Sequence, residues 1–282
     1  MTSGIDKLTD RQRRLLREWL PGATVTKDHS WGLVGTVVLA LDHEGAKYIA
    51  KAGDASDLHI AREVKAHREW LSPWTSHQRA PELVHADLVS KLIVCLYLEG
   101  ELVLGSDHEW QVDTYRQAGV LLAMLHEQFS REDPEFELRQ KAKALTWLDG
   151  PHRIAALVEA ELRKEIGSWP SPSVCVVPTH GDWQPRNWLV HEDVLSVIDF
   201  GRAELRPAFT DFGRLTVQQF QISPGLEAAF LEGYGPDPRD QESWQRDRVR
   251  EGIGTACWAH QVGDTTFEKQ GHRMIAEALA QR

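Results

Sequence analysis

The 282-residue sequence holds only three cysteines, and Cys95, Cys175 and Cys257 stand far apart with no paired spacing. That excludes a disulfide framework and a cysteine-built zinc site, and it fits a reducing, cytoplasmic setting. No apolar run approaches the roughly 18 residues that a membrane span needs; Leu92–Leu98 and Ala118–Leu125 are both far too short. Met1–Lys7 shows no basic region followed by an apolar core, so no secretory leader is expected. Internal repeats and low-complexity segments are missing, which excludes solenoids and arrays. The sequence contains thirteen histidines but no His-Glu-x-x-His and no Cys/His cluster, so surface or core placement accounts for them better than metal. There is no Gly-x-Ser-x-Gly elbow to support a hydrolase.

What is present is a globular composition, 41% hydrophobic and 26% charged, which rules out a wholly disordered chain. The net charge of −10 is unevenly spread. Residues 1–98 carry 13 Lys and Arg against 12 Asp and Glu, whereas residues 99–282 carry 19 against 30, a net of −11. Such a field repels nucleic acid and anionic membrane and attracts cations, although acidic surfaces also serve solubility alone. Eleven tryptophans are a heavy allotment. Large aromatics are more often core than contact, with a pocket wall as the alternative.

Periodicity divides the chain. Leu8–Leu20 reads as a helix capped by Thr9 or Asp10 and stopped at Pro21-Gly22. Trp31–Leu41 and Lys47–Lys51 read as strands around an Asp42–Gly45 turn, and Leu83–Asp87 and Leu92–Leu98 as two more. Between these pairs, Ile60, Val64, His67 and Leu71 make one helical stripe with Ser56 as its expected cap. After Glu99-Gly100-Glu101 the pattern turns helical, at Gln117–Phe129, Ile154–Ile166 and from Asp211 onward, with short strands at Val174–Val177, Trp188–Val190 and Leu195–Ile198. An α+β architecture follows. Residues 1–98 make a small, mainly antiparallel β lobe with one key helix, and residues 99–282 a larger, mainly helical lobe.

The strongest chemical signal is His180-Gly181-Asp182-Trp183-Gln184-Pro185-Arg186-Asn187, followed by Val197-Ile198-Asp199-Phe200-Gly201. Phosphoryl transfer needs a carboxylate to orient a hydroxyl and accept its proton, and hard oxygen ligands for magnesium. Asp182 and Asn187 reproduce the kinase Asp-x4-Asn spacing, and Asp199-Phe200-Gly201 its metal-binding tripeptide. Asp-x4-Asn alone is common by chance, but the joined set is specific.

The stretch Thr179–Asp211 resembles the signature of the aminoglycoside phosphotransferase family, relatives of choline kinase and of the eukaryotic protein kinases. The resemblance implies a two-lobed protein-kinase-like fold, with Asp182 as catalytic base and Asn187 and Asp199 as Mg2+ ligands. It also implies that Asp211 braces the catalytic loop and that His180 is structural. The N-terminal lobe should then supply a phosphate-binding lysine. Lys51, ending the apolar strand Tyr48–Lys51, matches that pattern; Glu63 is its expected partner on the next helix, with Glu69 as the alternative. Ser30, Gly32 and Gly35 belong to the segment that could cover phosphates through backbone amides. Leu96 and Leu98 belong to a connector resembling the hinge that pairs with the nucleotide base; backbone pairing leaves ATP and GTP indistinguishable. Arg186 either contacts phosphate or pairs with a nearby carboxylate.

Only Phe200–Thr210 separates Asp199 from Asp211, and no Ala-Pro-Glu follows, so a small hydroxylated molecule is favoured over a peptide as acceptor. The acidic C-terminal region points to a cationic one, with Glu204, Glu232, Asp237, Asp240 and Glu251 as candidate contacts. Aminoglycosides and cyclic peptides of the viomycin and capreomycin type meet that description. Choline- or homoserine-type metabolites, and a catalytically silent kinase-fold binding protein, are the alternatives.

Overall fold

The structure, a computed structural model, describes residues 4–30 and 35–280. In chain order its longer elements are α1 (Asp10–Trp19), β1 (Thr24–Asp28), β2 (Val37–His43), β3 (Ala46–Ala52), α2 (His59–Glu69), α3 (Ser72–Thr75), β4 (Leu83–Asp87), β5 (Leu92–Leu96), β6 (Glu101–Leu102) and α4 (Val112–His126). There follow β7 (Arg131–Asp133), α5 (Phe136–Asp149), α6 (Ala156–Ser168), β8 (Val174–Thr179), β9 (Trp188–His191), β10 (Val194–Val197) and β11 (Glu204–Arg206). The remainder is helical: α7 (Gly213–Thr216), α8 (Gln219–Ile222), α9 (Pro224–Tyr234), α10 (Gln241–Val262) and α11 (Thr265–Ala280). The chain divides into two compact units. One comprises Met1–Leu125, His180–Glu204 and Ala228–Tyr234, the other His126–Thr179, Leu205–Glu227 and Gly235–Arg282.

The first unit is built on a five-stranded antiparallel sheet in the order β1-β2-β3-β5-β4. The β2–β3 hairpin turns on Glu44 and Gly45, both at positive φ (53° and 82°), the geometry a two-residue turn requires. Strand alternation then sorts the faces. Ala50, Ala52, Leu92 and Val94 pack with Leu16 of α1 and Leu20, which caps its C-terminus. Ile93 and Cys95, cross-strand neighbours of Lys51 and Ile49, belong to the opposite cluster with Ile60 and Val64 of α2. Lys51 therefore emerges on the face that α2 covers. Thr9 and Gln12 form a reciprocal capping box at the start of α1, and the Gln12 amide also donates to the Gly53 and Ser90 carbonyls (2.9 and 2.8 Å). The cap expected of Ser56 belongs instead to Asp57, whose carboxylate accepts the Ile60 N–H at 2.9 Å; Ser56 donates to Asp54.

The same unit holds the sheet β10-β9-β6 and an aromatic run through its core. Trp74, Trp183, Trp188, Tyr115 and Phe200 are fully buried, with successive ring centroids 5.4–5.9 Å apart. These tryptophans are core, the commoner of the two uses. Gly119 of α4 lies against the Phe230 carbonyl of α9, where a Cβ would come within 2.1 Å. In the second unit, α10 and α11 pack through Gly271 on Ala256 and enclose Ile253, Cys257 and Ile275 with Leu162 and Ile166 of α6. Buried Glu137 there pairs with Arg250 and Arg246.

Candidate active site

Lys51 is the centre of a three-residue ionic set. Its Nζ donates to Glu63 Oε2 at 2.6 Å and to Asp199 Oδ1 at 2.5 Å. The Lys51 and Glu63 side chains are buried at 12% and 6% exposure, whereas Asp199 is open at 48%. Desolvation opposes the Lys51 charge, but Asp199 and Glu63 outweigh it and hold the ammonium well above its usual range. Desolvation likewise works against ionised Asp199, and Lys51 overcomes it, so that carboxyl lies well below the ordinary carboxylate range. Glu63 goes the other way. Burial, helped by the Asp199 charge, raises it against the pull of Lys51. Two carboxylates share one ammonium, and the set is one positive charge short. Glu69, the alternative partner, is six residues further along α2, at its C-terminal end, and faces Lys65 at 3.8 Å.

Asp199 adopts φ = 66°, a left-handed conformation uncommon outside glycine but tolerated by Asp. One helix holds this turn at each residue. On α2, His59, Glu63 and His67 are spaced i, i+4, i+8 and so share a face. His59 Nδ1 donates to the Gly201 carbonyl at 2.8 Å. Glu63 shares Lys51 with Asp199, and the His67 ring meets Phe200 edge-on at 5.5 Å. Gly201 permits this approach, because a Cβ there would stand 3.0 Å from that of His59. Sequence reading passed over His59; its position one helical turn before Glu63 was the available signal.

The Asp182–Asn187 motif is assembled around Asp182, which is 3% exposed. Its Oδ1 accepts from Gln184 Nε2 at 2.6 Å, and its Oδ2 from Arg186 Nη2 at 2.5 Å and Asn187 Nδ2 at 3.1 Å. Asn187 Nδ2 also bonds the Asp182 carbonyl, at 2.8 Å, which commits the amide nitrogen and leaves the side-chain oxygen as the remaining donor atom for a cation. The Asn187 carbonyl accepts the Ile198 N–H at 2.9 Å, joining the loop to the strand that delivers Asp199. His180 is fully buried. Its Nδ1 accepts the Asp182 N–H and its Nε2 donates to the Ile198 carbonyl, so both ring nitrogens are engaged with backbone. In the second unit Asp211, 2% exposed, pairs with His126 at 3.1 Å.

Of the other expected nucleotide contacts, Ser30, Gly35 and Leu98 flank strands of the five-stranded sheet and Leu96 ends β5. Ser30 Oγ accepts the Val38 N–H at 3.1 Å, and Gly35 closes on the Asp54 carboxylate, with no room for a Cβ. Gly32 lies outside the described residues. β5 ends at Leu96, whose N–H goes to the Glu82 carbonyl, and Tyr97 bonds the Lys47 carbonyl. Leu98 beyond them makes no backbone hydrogen bond among the described residues. Of the five candidate acceptor contacts, Glu232 pairs with Arg116, Asp237 with Arg239, and Asp240 caps α10 through Ser243. Glu251 lies 3.7 Å from Arg214, and Glu204 is exposed.

The model of the phosphotransferase enzyme family matches residues 25–250. The chain belongs to that family. A search of curated proteins finds no match. Among solved structures, the choline kinase LicA from Streptococcus pneumoniae is similar at a TM-score of 0.68 and 14% identity, over 97% of this chain and 100% of that one. A thermostable mutant of aminoglycoside phosphotransferase APH(4)-Ia gives 0.69 and 14%, over 95% and 98%. The gentamicin complex of APH(2")-IIa gives 0.63 and 14%, over 95% and 96%. At these identities the likeness is one of fold, and the fold of this phosphotransferase is the α+β, protein-kinase-like one.

Proposed function

We propose that this phosphotransferase moves the γ-phosphoryl group of a nucleoside triphosphate, ATP foremost and GTP as the alternative, to a hydroxyl of a small cationic molecule. Inactivation of an aminoglycoside or a viomycin- or capreomycin-type peptide, and hence antibiotic resistance, is the physiological form of this reading. The observation that carries it is the convergence of Lys51, Glu63 and Asp199 beside an Asp182–Asn187 loop in one compact unit. Residues 1–98 act as the nucleotide-binding lobe and residues 99–282 as the catalytic and acceptor lobe, in a cytoplasmic protein.

Each residue has a task set by its surroundings. Lys51, held in its charged form, meets the nucleotide phosphates, and Glu63 keeps it in place. Leu98, with Leu96, offers backbone groups to the base, while Ser30, Gly32 and Gly35 cover the phosphates. Asp199 and the Asn187 side-chain oxygen hold Mg2+; hard oxygen donors suit that ion, and the missing positive charge of the Lys51 set agrees with a cation at Asp199. When bound, Mg2+ neutralises phosphate charge. Asp182 orients the acceptor hydroxyl and takes its proton.

The acidic excess of residues 99–282 supports a cationic acceptor, although Glu232, Asp237, Asp240 and Glu251 are already partnered within the chain. The likeness to a choline kinase favours a small-metabolite kinase as the second reading. A panel of hydroxylated antibiotics and metabolites, incubated with MgATP and read by the mass of one added phosphoryl group, tests the function. A cationic acceptor whose KM rises with salt at fixed free Mg2+ is expected. A neutral or anionic best acceptor, or a KM flat in salt, refutes the cationic assignment, and a silent panel with no nucleotide binding refutes the enzyme.

A further inference from the structure

Asp182 has more donors than its positioning needs. Gln184 and Asn187, 6% and 4% exposed, fix one oxygen each from inside the loop. Arg186 adds a third donor to Oδ2, the oxygen Asn187 already holds, from a side chain that is 42% exposed. The 3-10 turn Pro185–Asn187 sets it four residues after Asp182 and over the loop. Its other guanidinium N–H groups have no partner among the described residues. The guanidinium is therefore a half-exposed cation bonded to the carboxylate assigned to the acceptor hydroxyl and one residue before Asn187, which is assigned to the metal. A transferring phosphoryl group must pass between those two functions.

Arg186 can leave from its exposed side at limited cost, because Gln184 and Asn187 still donate to the two oxygens of buried Asp182 after it departs. A phosphoryl group carries more charge than a carboxylate and presents oxygens that match the planar guanidinium fork. We infer that Arg186 is a further catalytic residue: it leaves Asp182 for the γ-phosphoryl group of the bound nucleotide and stabilises its oxygens during transfer. The exchange removes one of the donors on Asp182 Oδ2 and opens that side of the oxygen to the acceptor, while Asn187 keeps it in place. The acceptor oxygen–phosphorus bond then forms as the bond from the γ-phosphorus to the β–γ bridging oxygen breaks. That electron pair stays on the nucleoside diphosphate, the hydroxyl proton passes to Asp182, and Arg186 neither gains nor loses a proton. The inference rests on the phosphotransferase reading.

The test compares wild type, Arg186→Gln and Arg186→Lys in two measurements that need no identified acceptor. One is affinity for MgADP and for MgADP with aluminium tetrafluoride, a mimic of the phosphoryl group in transit. The other is slow MgATP hydrolysis by water. Wild type should bind the aluminium fluoride complex much more tightly than MgADP. Arg186→Gln should keep its MgADP affinity within about threefold while losing roughly 10²–10³-fold in kcat and most of the aluminium fluoride gain. Arg186→Lys should recover part of both, since it restores charge without the fork. A wild-type or faster kcat in Arg186→Gln, or equal losses for both ligands, overturns the inference and leaves Arg186 as a structural restraint on Asp182. A wild type that binds neither ligand, or gains nothing from aluminium fluoride, overturns the phosphotransferase reading and the inference with it.

Discussion

Replacing Lys51 by Met removes the cation bonded to both Glu63 and Asp199, and the consequence should depend on pH in a defined direction. Asp199, half exposed, is re-solvated at little cost. Glu63 is 5% exposed and has no such exit. It must stay ionised in a buried position or take up a proton. Protonation sets the ceiling: from an ordinary value of 4.5 to pH 7 is 2.5 pH units, or about 3.4 kcal/mol. Glu63 already lies above its ordinary value in the wild type, and losing Lys51 raises it further. A carboxyl raised in the folded state contributes its stability below the unfolded value and loses it as pH rises through the folded value. The deficit of Lys51→Met should therefore be smallest near pH 4.5 and grow by up to about 1.4 kcal/mol per pH unit towards neutrality. Urea denaturation of both proteins at several pH values between 4.5 and 7.5 measures it. The double variant Lys51→Met/Glu63→Gln should abolish the pH dependence. A deficit that is flat in pH, or that shrinks towards neutrality, refutes the reasoning.

Asp182→Ala should lower kcat by about 10²-fold or more while nucleotide affinity stays near wild type, as calorimetry with MgATP would show; near-normal turnover removes Asp182 from the role of base. Asp199→Ala should abolish the Mg2+ dependence of nucleotide binding and Asn187→Ala should weaken it, and equal affinities at saturating Mg2+ would contradict both assignments. Asp247 is 8% exposed, and burial, then the neighbouring Glu251, pushes its carboxyl up to about 7 from 3.8 over the pull of Arg250 and Arg206. Its contribution is present below 3.8 and lost as pH rises to about 7, so Asp247→Asn should stabilise the protein by up to about 4 kcal/mol at pH 8 and hardly at all near pH 4. Thermal midpoints at the two pH values decide it, and an equal or absent gain would refute it.

What the sequence made legible was what short-range pattern controls. The α1 cap at Thr9, the Glu44-Gly45 turn and the α2 stripe all lie within a few residues of the groups they govern. The Asp182–Asn187 and Asp199–Gly201 motifs are just as local. β1 was not legible, because Thr24–Asp28 is mostly exposed and has no apolar alternation; only pairing with β2 makes it a strand. Ser56 looked like the α2 cap because Ser and Asp compete for that position, and only the backbone path shows that Asp57 reaches Ile60. The hold of His59 on Gly201 joins residues 142 apart in sequence. No local pattern encodes that distance, although the helical spacing to Glu63 was there to be read.

The interleaving of the two compact units has a consequence in time. A chain that crosses between them at 125/126, 179/180, 204/205, 227/228 and 234/235 cannot be cut once to yield either unit whole. During synthesis, at roughly 5–20 residues per second, the five-stranded sheet leaves the ribosome long before the segment that completes its unit. α2 waits with His59, Glu63 and His67 facing a space that Asp199, Phe200 and Gly201 enter about 130 residues later. The face that will grip the Asp199–Gly201 turn is thus exposed in the nascent chain, and fragments ending before residue 199 should present it to chaperones or to one another.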